Sequence, residues 1–385
     1  MIYLDNAAST PVHSKVLEEM IPYFEERFGN PSSIHKYGRQ ASLAIQNAKK
    51  RIASLINADY QEILITSGGT ESNNTALLGV ARKKNGKHII ASSIEHDAIL
   101  EPCKQLQREG FEVTYLPVDR YGLVNPADIE KEISHDTCLV TIMFANNEVG
   151  TIQPIEEIGK ITREKNVLFH TDAVQAMGKI QVDAKNLKVD LLSMSSHKIN
   201  GPKGVGALYI RKGVEVDPLL LGGGQENGLR SGTENVASVA GFGKACELAE
   251  ENMERNIEHF RKLGKQLISR VLEEIPLATL NGHPEKRTPN NVHFAFLGVR
   301  GEDLIIKLDE NGIAASTGSA CSVRIQKESH VLKAMGLSHE QITGSLRLTI
   351  GVFNDEKEID ETVNVLKKVV RELRAISPYK EKYSF

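Results

Sequence analysis

Two residues near the middle of the chain have the types and settings for joint covalent chemistry. In residues 191–204, LLSMSSHKINGPKG, a short apolar run ends in Ser195, Ser196, His197 and Lys198 and then breaks into Gly and Pro. In residues 168–175, LFHTDAVQ, Asp172 also stands at the end of an apolar run. Two parallel strands finishing at one sheet edge would bring this acid and this amine to a common site. A lysine able to form a Schiff base and a carboxylate able to pair with a pyridinium nitrogen are the protein parts that pyridoxal 5'-phosphate (PLP) uses. Alone, Lys198 reads as an exposed lysine after a strand, because lysines are mostly exposed. The acid gives the pair its chemical meaning.

Further candidates follow other apolar runs. After ILIT come Ser67, Gly68, Gly69 and Thr70, opening a helix. Small residues there let backbone N–H groups approach an anion such as a phosphate, although a tight turn with a capped helix explains the same residues. His96 follows HIIAS; an imidazole there could stack on a flat cofactor and move protons near neutral pH, or be a hydrogen-bonded structural histidine. Asn146 and Asn147 follow CLVTIMF and could donate to a phenolic oxygen or a carboxylate, or cap a turn. Gln175 is placed to reach the ring's phenolic oxygen or to make a structural amide bond, while Ser195 and His197 could supply phosphate donors. In residues 221–233, LGGGQENGLRSGT, Arg230, Ser231 and Thr233 could bind a phosphate, including that of a neighbouring subunit, or belong to a plain surface loop. Arg347, in GSLRLTIG, could clamp an amino-acid carboxylate or make a structural salt bridge. Cys321 lies among small residues in ASTGSACS, a composition expected of a mobile loop. A lone cysteine there is either an inert small hydrophobe or a thiol with a task.

The elements that must position these residues are readable in outline. Short β-rich runs recur: EILIT at 62, HIIAS at 88, EVTYL at 112, CLVTIMF at 138, VLFHT at 167, DLLSMS at 190 and GALYI at 206. Helical patterns separate several of them, one beginning at Pro154 with Ile155, Ile158 and Ile161 on one face. Alternating strands and helices predict an α/β fold with a mostly parallel sheet covered on both faces. Such sheets bind ligands beyond the carboxyl ends of their strands, where the candidates lie. From Asn235 the chain reads as a long, increasingly charged helical stretch leading out of the first domain. Beyond it, NVHFAFLG, the region around Ile313 and LRLTIG read as strands, and 355–373 as an amphipathic helix, predicting a smaller α+β domain. The expected division is a large domain over 12–250 and a small one built from 1–11 and 251–385.

At 385 residues the chain exceeds the size at which single cores usually stop growing, which favours two domains. A net charge of -3 with scattered basic residues gives no electrostatic footprint for nucleic acid. No run approaches a membrane span and the start MIYLDNAAST lacks a signal-peptide pattern, so a cytoplasmic location is expected. Cys103, Cys138, Cys246 and Cys321 form no CxxC pair, so neither a zinc site nor a disulfide framework is encoded.

The motifs in order resemble the cysteine desulfurases, PLP enzymes of the class V aminotransferase group. YLDNAAST at 3, FGNPSS at 28, TSGGTESNN at 66, EH at 95, NNEVGTIQP at 146, HTDAVQ at 170, SSHKINGPKGVGALY at 195, GGGQENGLRSGT at 222, TGSAC at 317 and SLRLTIG at 345 carry the resemblance over essentially the whole chain. It implies a fold-type-I homodimer whose larger domain carries PLP. Lys198 would form the Schiff base, Asp172 pair with the pyridine nitrogen, Gln175 bond the phenolic oxygen, and His96 stack on the ring and carry protons. Gly69, Thr70, Ser195 and His197 would bind the phosphate, with Thr233 reaching in from the other subunit. Asn147 and Arg347 would hold the substrate carboxylate, helped by Asn6 and Ala7. Cys321, on a long catalytic loop, would take sulfur from L-cysteine as a persulfide, leaving L-alanine. It would pass that sulfur to an acceptor such as an iron–sulfur scaffold protein, for cluster assembly or RNA thiolation, contacting a cluster only in transfer. No resident metal is expected. A selenocysteine lyase, or a sulfur-relay or scaffold protein on the same fold, are the alternative readings.

Overall fold

The computed structural model describes residues 1–318, 328–378 and 383. In chain order the first strands are β1 (Ile2–Tyr3), β2 (Ile63–Thr66), β3 (His88–Ser92), β4 (Glu112–Leu116), β5 (Thr137–Thr141), β6 (Leu168–Asp172), β7 (Leu191–Ser195) and β8 (Gly206–Ile210). Strands β2 to β8 form one sheet in the order β2-β8-β7-β6-β5-β3-β4. β3 runs parallel to β4 and β5, β5 to β6, and β6 to β7. β8 is antiparallel to both its neighbours, β7 and β2. Strands β2 to β7 therefore all point one way, and their carboxyl ends share one edge.

The strand sequences explain the layering. Ile89 and Ile90 are successive residues of β3 and pack into different cores, as the two-residue period of a strand requires. On the Ile89 face lie helices Gly69–Lys83 and Asp97–Arg108, through Leu77, Val80, Ile99 and Leu106. On the Ile90 face lie helices Lys36–Leu55, Ile155–Glu164 and Val236–Glu251, through Ile52, Ile158 and Phe242. Both faces are covered, so the strand interiors carry nearly continuous apolar runs. Edge strand β4 is the one only partly buried.

A second core surrounds the antiparallel sheet of β9 (Ala278–Asn281), β10 (Asn291–Phe296) and β12 (Ser345–Thr349), ordered β12-β10-β9. Helices Met253–Glu274, Gly301–Glu310 and Glu356–Ala375 pack against it through Leu267, Leu304 and Leu366. β1 pairs in parallel with the short strand β11 (Ile313–Ala314), and Asp5 bridges Thr349. From there the N-terminal segment runs to the end of β7, where the Thr10 N–H donates to the His197 carbonyl at 3.0 Å. The first ten residues thus link the smaller sheet to the lysine segment.

The helical stretch from 235 is interrupted. It is two helices, Val236–Glu251 and Met253–Glu274, separated at Asn252. The Asn252 side chain donates to the Leu248 carbonyl at 2.8 Å, the local competition by which asparagine ends a helix. One helix covers the large sheet and the other the small one. Among the described residues no helix is long and apolar enough to cross a membrane.

Candidate active site

The ends of β2, β3, β6 and β7 at the shared edge each deliver polar groups. β2 leads through Ser67 and Gly68 into helix Gly69–Lys83, whose first turn has no side-chain cap. Gly68 has φ +154°, and a Cβ on Gly69 would stand 2.8 Å from Val174 Cγ2. Gly68 is thus required by its backbone conformation, while a side chain at Gly69 would press on Val174. The positive end of this helix opens beside Ser195, at the end of β7.

β6 ends in Asp172, which is buried. One carboxylate oxygen accepts from Asn73 Nδ2 at 2.7 Å and the other from the Val174 N–H at 3.0 Å. Asn73 Oδ1 is buried and has no hydrogen-bond partner. β7 passes into a single 3-10 turn, Ser196–Lys198. Lys198 Nζ there donates to the carbonyls of Ala7 and, at 2.8 Å, Ala8. Burial, with Lys198, Lys203 and Lys179 nearby, pushes the His197 imidazole down to about 4, so it is neutral at pH 7. Its Nδ1 pairs with Ser9 Oγ at 3.2 Å.

β3 is followed by His96, which caps helix Asp97–Arg108 by accepting the Ala98 N–H on Nδ1 at 3.0 Å. With Nδ1 accepting, the proton of the neutral ring sits on Nε2. From the smaller sheet, β12 contributes the buried Arg347. Its guanidinium donates to Asp5 Oδ1 at 2.7 Å, the Gly318 carbonyl at 2.7 Å and the Asn147 carbonyl at 3.0 Å. The structural salt bridge is present, with Asp5.

These groups surround a cavity of about 310 Å³. Its wall contains Ala7, Gly69, Thr70, His96, Asn147, Asp172, Gln175, Ser195, His197, Lys198 and Arg347. Among the described residues, Asn6 and Thr233 stand elsewhere. Asn6 is turned away, lining a second, smaller cavity, and its Nδ2 donates to the carbonyls of Thr349 and Tyr3. Thr233 is exposed and outside the cavity wall. Cys321 lies outside the described residues, but Gly318, three positions before it, lines the cavity. Arg230 pairs with Glu71, in the first turn of helix Gly69–Lys83, at 2.9 Å, so its charge is already engaged.

The donor set fits PLP. A carboxylate held by two hydrogen bonds, an amine, and an uncapped helix start beside a serine and a neutral histidine match, in kind, a pyridine nitrogen, an aldehyde carbon and a phosphate. The family described as aminotransferase class V matches residues 2–362. The chain belongs to the class V aminotransferases, among the cysteine desulfurases.

The cysteine desulfurase IscS of Dictyoglomus turgidum is 50% identical over 384 residues, 99% of this chain and 98% of that protein. The enzyme of the same name from Methanosarcina thermophila is 52% identical over 379 residues, 98% of this chain and 94% of that one. A solved NifS-like protein superposes with a TM-score of 0.91 at 41% identity, covering 96% of this chain and 99% of that chain. The cofactor of this class V enzyme is PLP.

Several residues that line or support the cavity escaped the sequence reading. Asn73, which holds Asp172, stands four residues after Gly69 on one helix, the spacing of a shared face. Glu148, inside the quoted NNEVGT motif, lines the cavity and accepts from Ser329 Oγ at 2.6 Å; burial raises its carboxyl. His330 also lines the cavity, its Nε2 bound to the Glu95 carbonyl at 2.9 Å. Burial, reinforced by Asp172, pushes the Glu95 carboxyl up to about 8. No motif logic singles these out, because their neighbours come from distant segments. Among the described residues there is no cluster able to hold a metal ion.

Proposed function

We propose that this chain converts L-cysteine to L-alanine and takes the sulfur onto Cys321 as a persulfide. The observation that carries the reading is one cavity in which Lys198, Asp172, His96 and Arg347 converge and whose wall includes Gly318, next to the Cys321 segment. PLP, when bound, supplies an electrophilic carbon for amines and a sink for the electron pair left by a departing proton. Lys198 anchors it, and the freed amine, guided by the Ala7 and Ala8 carbonyls, takes the substrate α-proton. Asp172, fixed by Asn73 and Val174, would hold the ring nitrogen, and Gln175 would hold the phenolic oxygen. Gly69, Thr70, Ser195 and neutral His197 receive the phosphate.

Arg347 and Asn147 orient the substrate carboxylate, with Ala7 beside them and Asn6 supporting the segment from behind. His96, on the cavity wall, would lie against the ring and, with Nδ1 taken by Ala98, would hold its proton on Nε2 for delivery as the Cβ–S bond breaks. The Cys321 thiolate attacks the substrate sulfur, so that cysteine plus thiol becomes alanine plus persulfide. A free thiol, with a pKa of about 8.5, is only partly ionised at neutral pH, so a cation beside it would speed the attack.

The assembly we infer is a homodimer. Leu17, Phe24, Phe28, Ile34 and Leu221 are exposed apolar side chains, and Thr233 would reach the phosphate across that contact. The persulfide then passes to an acceptor such as an iron–sulfur scaffold, where Cys321 contacts the cluster. Buried free thiols at Cys103, Cys138 and Cys246 agree with a reducing, cytoplasmic setting. The proposed division is a PLP-binding domain over 12–250 and a cysteine-bearing one from 1–11 and 251–385.

The test is mass spectrometry of the holoenzyme after incubation with cysteine. A reducible addition of one sulfur at Cys321, with alanine released, is the expected result. Alanine without that adduct would overturn the transfer to Cys321 and favour a lyase.

A further inference from the structure

Lys179 is a buried amine that the chemistry above leaves unused. Its Nζ donates to Gln175 Oε1 at 2.9 Å, and Gln175 Nε2 donates to the Ala7 carbonyl at 3.0 Å. The same Ala7 carbonyl accepts from Lys198 Nζ. Lys179 thus stands one amide behind the wall of the catalytic cavity. It also lines the second cavity, of about 150 Å³, together with Lys198, Asn6 and Asn290.

Burying an amine is costly, so a buried lysine calls for a physical reason. An amide has two chemically different ends, and only one can donate to an acceptor such as a phenolic oxygen. An ammonium can only donate, and this one donates to Oε1. That contact leaves Nε2 for the carbonyl of Ala7, a residue of the cavity wall. The Ala7 carbonyl alone is a weaker guide, since Lys198 competes for it.

We propose that Lys179 is a positioning residue, holding the Gln175 amide with its NH2 group toward the cofactor. The inference rests on the reading that Gln175 contacts PLP. Burial, with Lys198 and Arg347 nearby, pushes the Lys179 amine down to about 7. His13 and Arg255 are the other titratable groups on the wall of the second cavity. In mildly acidic buffer the amine is a donor-only ammonium, which fixes the end of the amide it can meet, and the coupling to Gln175 separates this from a bare charge effect.

A double-mutant cycle on the holoenzyme in such a buffer separates the cases. Its readouts are cofactor retention on dialysis and the position of the cofactor's visible absorption band. Gln175→Ala is expected to weaken retention about three- to tenfold, the worth of one hydrogen bond. Lys179→Met should weaken retention in the same direction and shift the band. In the Gln175→Ala background it should change retention less than about twofold and leave the band in place. Full retention by Gln175→Ala would refute the role of Gln175, and the inference with it. A loss on Gln175→Ala, with an equal further loss from Lys179→Met in both backgrounds, would refute the inference alone. Lys179→Leu enters the same cycle if the Met variant does not fold.

Discussion

Replacing Arg347 with lysine keeps the positive charge and removes the planar fork, which makes it a sharp test of carboxylate recognition. Arg347 reaches three partners at once: Asp5 Oδ1 and the Gly318 carbonyl, each at 2.7 Å, and the Asn147 carbonyl at 3.0 Å. A lysine ammonium is a point charge on a flexible stem and cannot reproduce a two-pronged grip. It would keep Asp5 paired, so no buried charge is orphaned, but would lose one prong of the substrate clamp. A hydrogen bond to a charged group is worth about 1.5–3 kcal/mol. At 1.4 kcal/mol per factor of ten, Arg347→Lys should raise the KM for cysteine by about 10- to 150-fold. A clamp that holds the carboxylate equally before and during the reaction would leave kcat changed much less than KM. The assay is steady-state alanine release against cysteine concentration, with cofactor content checked by absorbance. A cofactor-replete variant with KM within about threefold of the parent, well below the range set by one such bond, would refute the assignment of Arg347 to the carboxylate.

Glu95 links stability to pH. Its folded value of about 8 lies above the ordinary 4.5, so the native state binds the extra proton, and stability falls as pH rises through that window. Glu95→Gln should flatten this slope, gaining about 3 kcal/mol near neutral pH and little in mild acid; urea unfolding at both pH values reads it, and a slope unchanged from the parent would refute the reasoning. Gly69→Ala places a Cβ 2.8 Å from Val174 Cγ2, displacing the segment between Asp172 and Gln175, so cofactor retention should fall about tenfold. Adding Val174→Ala should restore most of it on dialysis, and failure to do so would locate the damage elsewhere.

Much of the site was readable because its residues follow strands. Asp172, Ser195 and His96 stand at or just past the ends of apolar runs, and parallel strands with helical crossovers must finish at one edge. Asn252 marks a limit of that logic. Helical periodicity continues across it, and only the presence of two separate cores shows why the helix must break there.

By itself the chain determined the α/β class, the sheet strands and the chemistry-bearing residue types, because these rest on local periodicity and short motifs. The tertiary structure decided which neighbours those residues have. Asp5 meets Arg347 across 342 positions of sequence, and the N-terminal segment shows Ala7 to the cavity while turning Asn6 away. Lys179 acquires a reason to be buried only when Gln175 is seen to stand between it and the cavity. Such contacts depend on how distant segments pack, and no spacing along the chain encodes them.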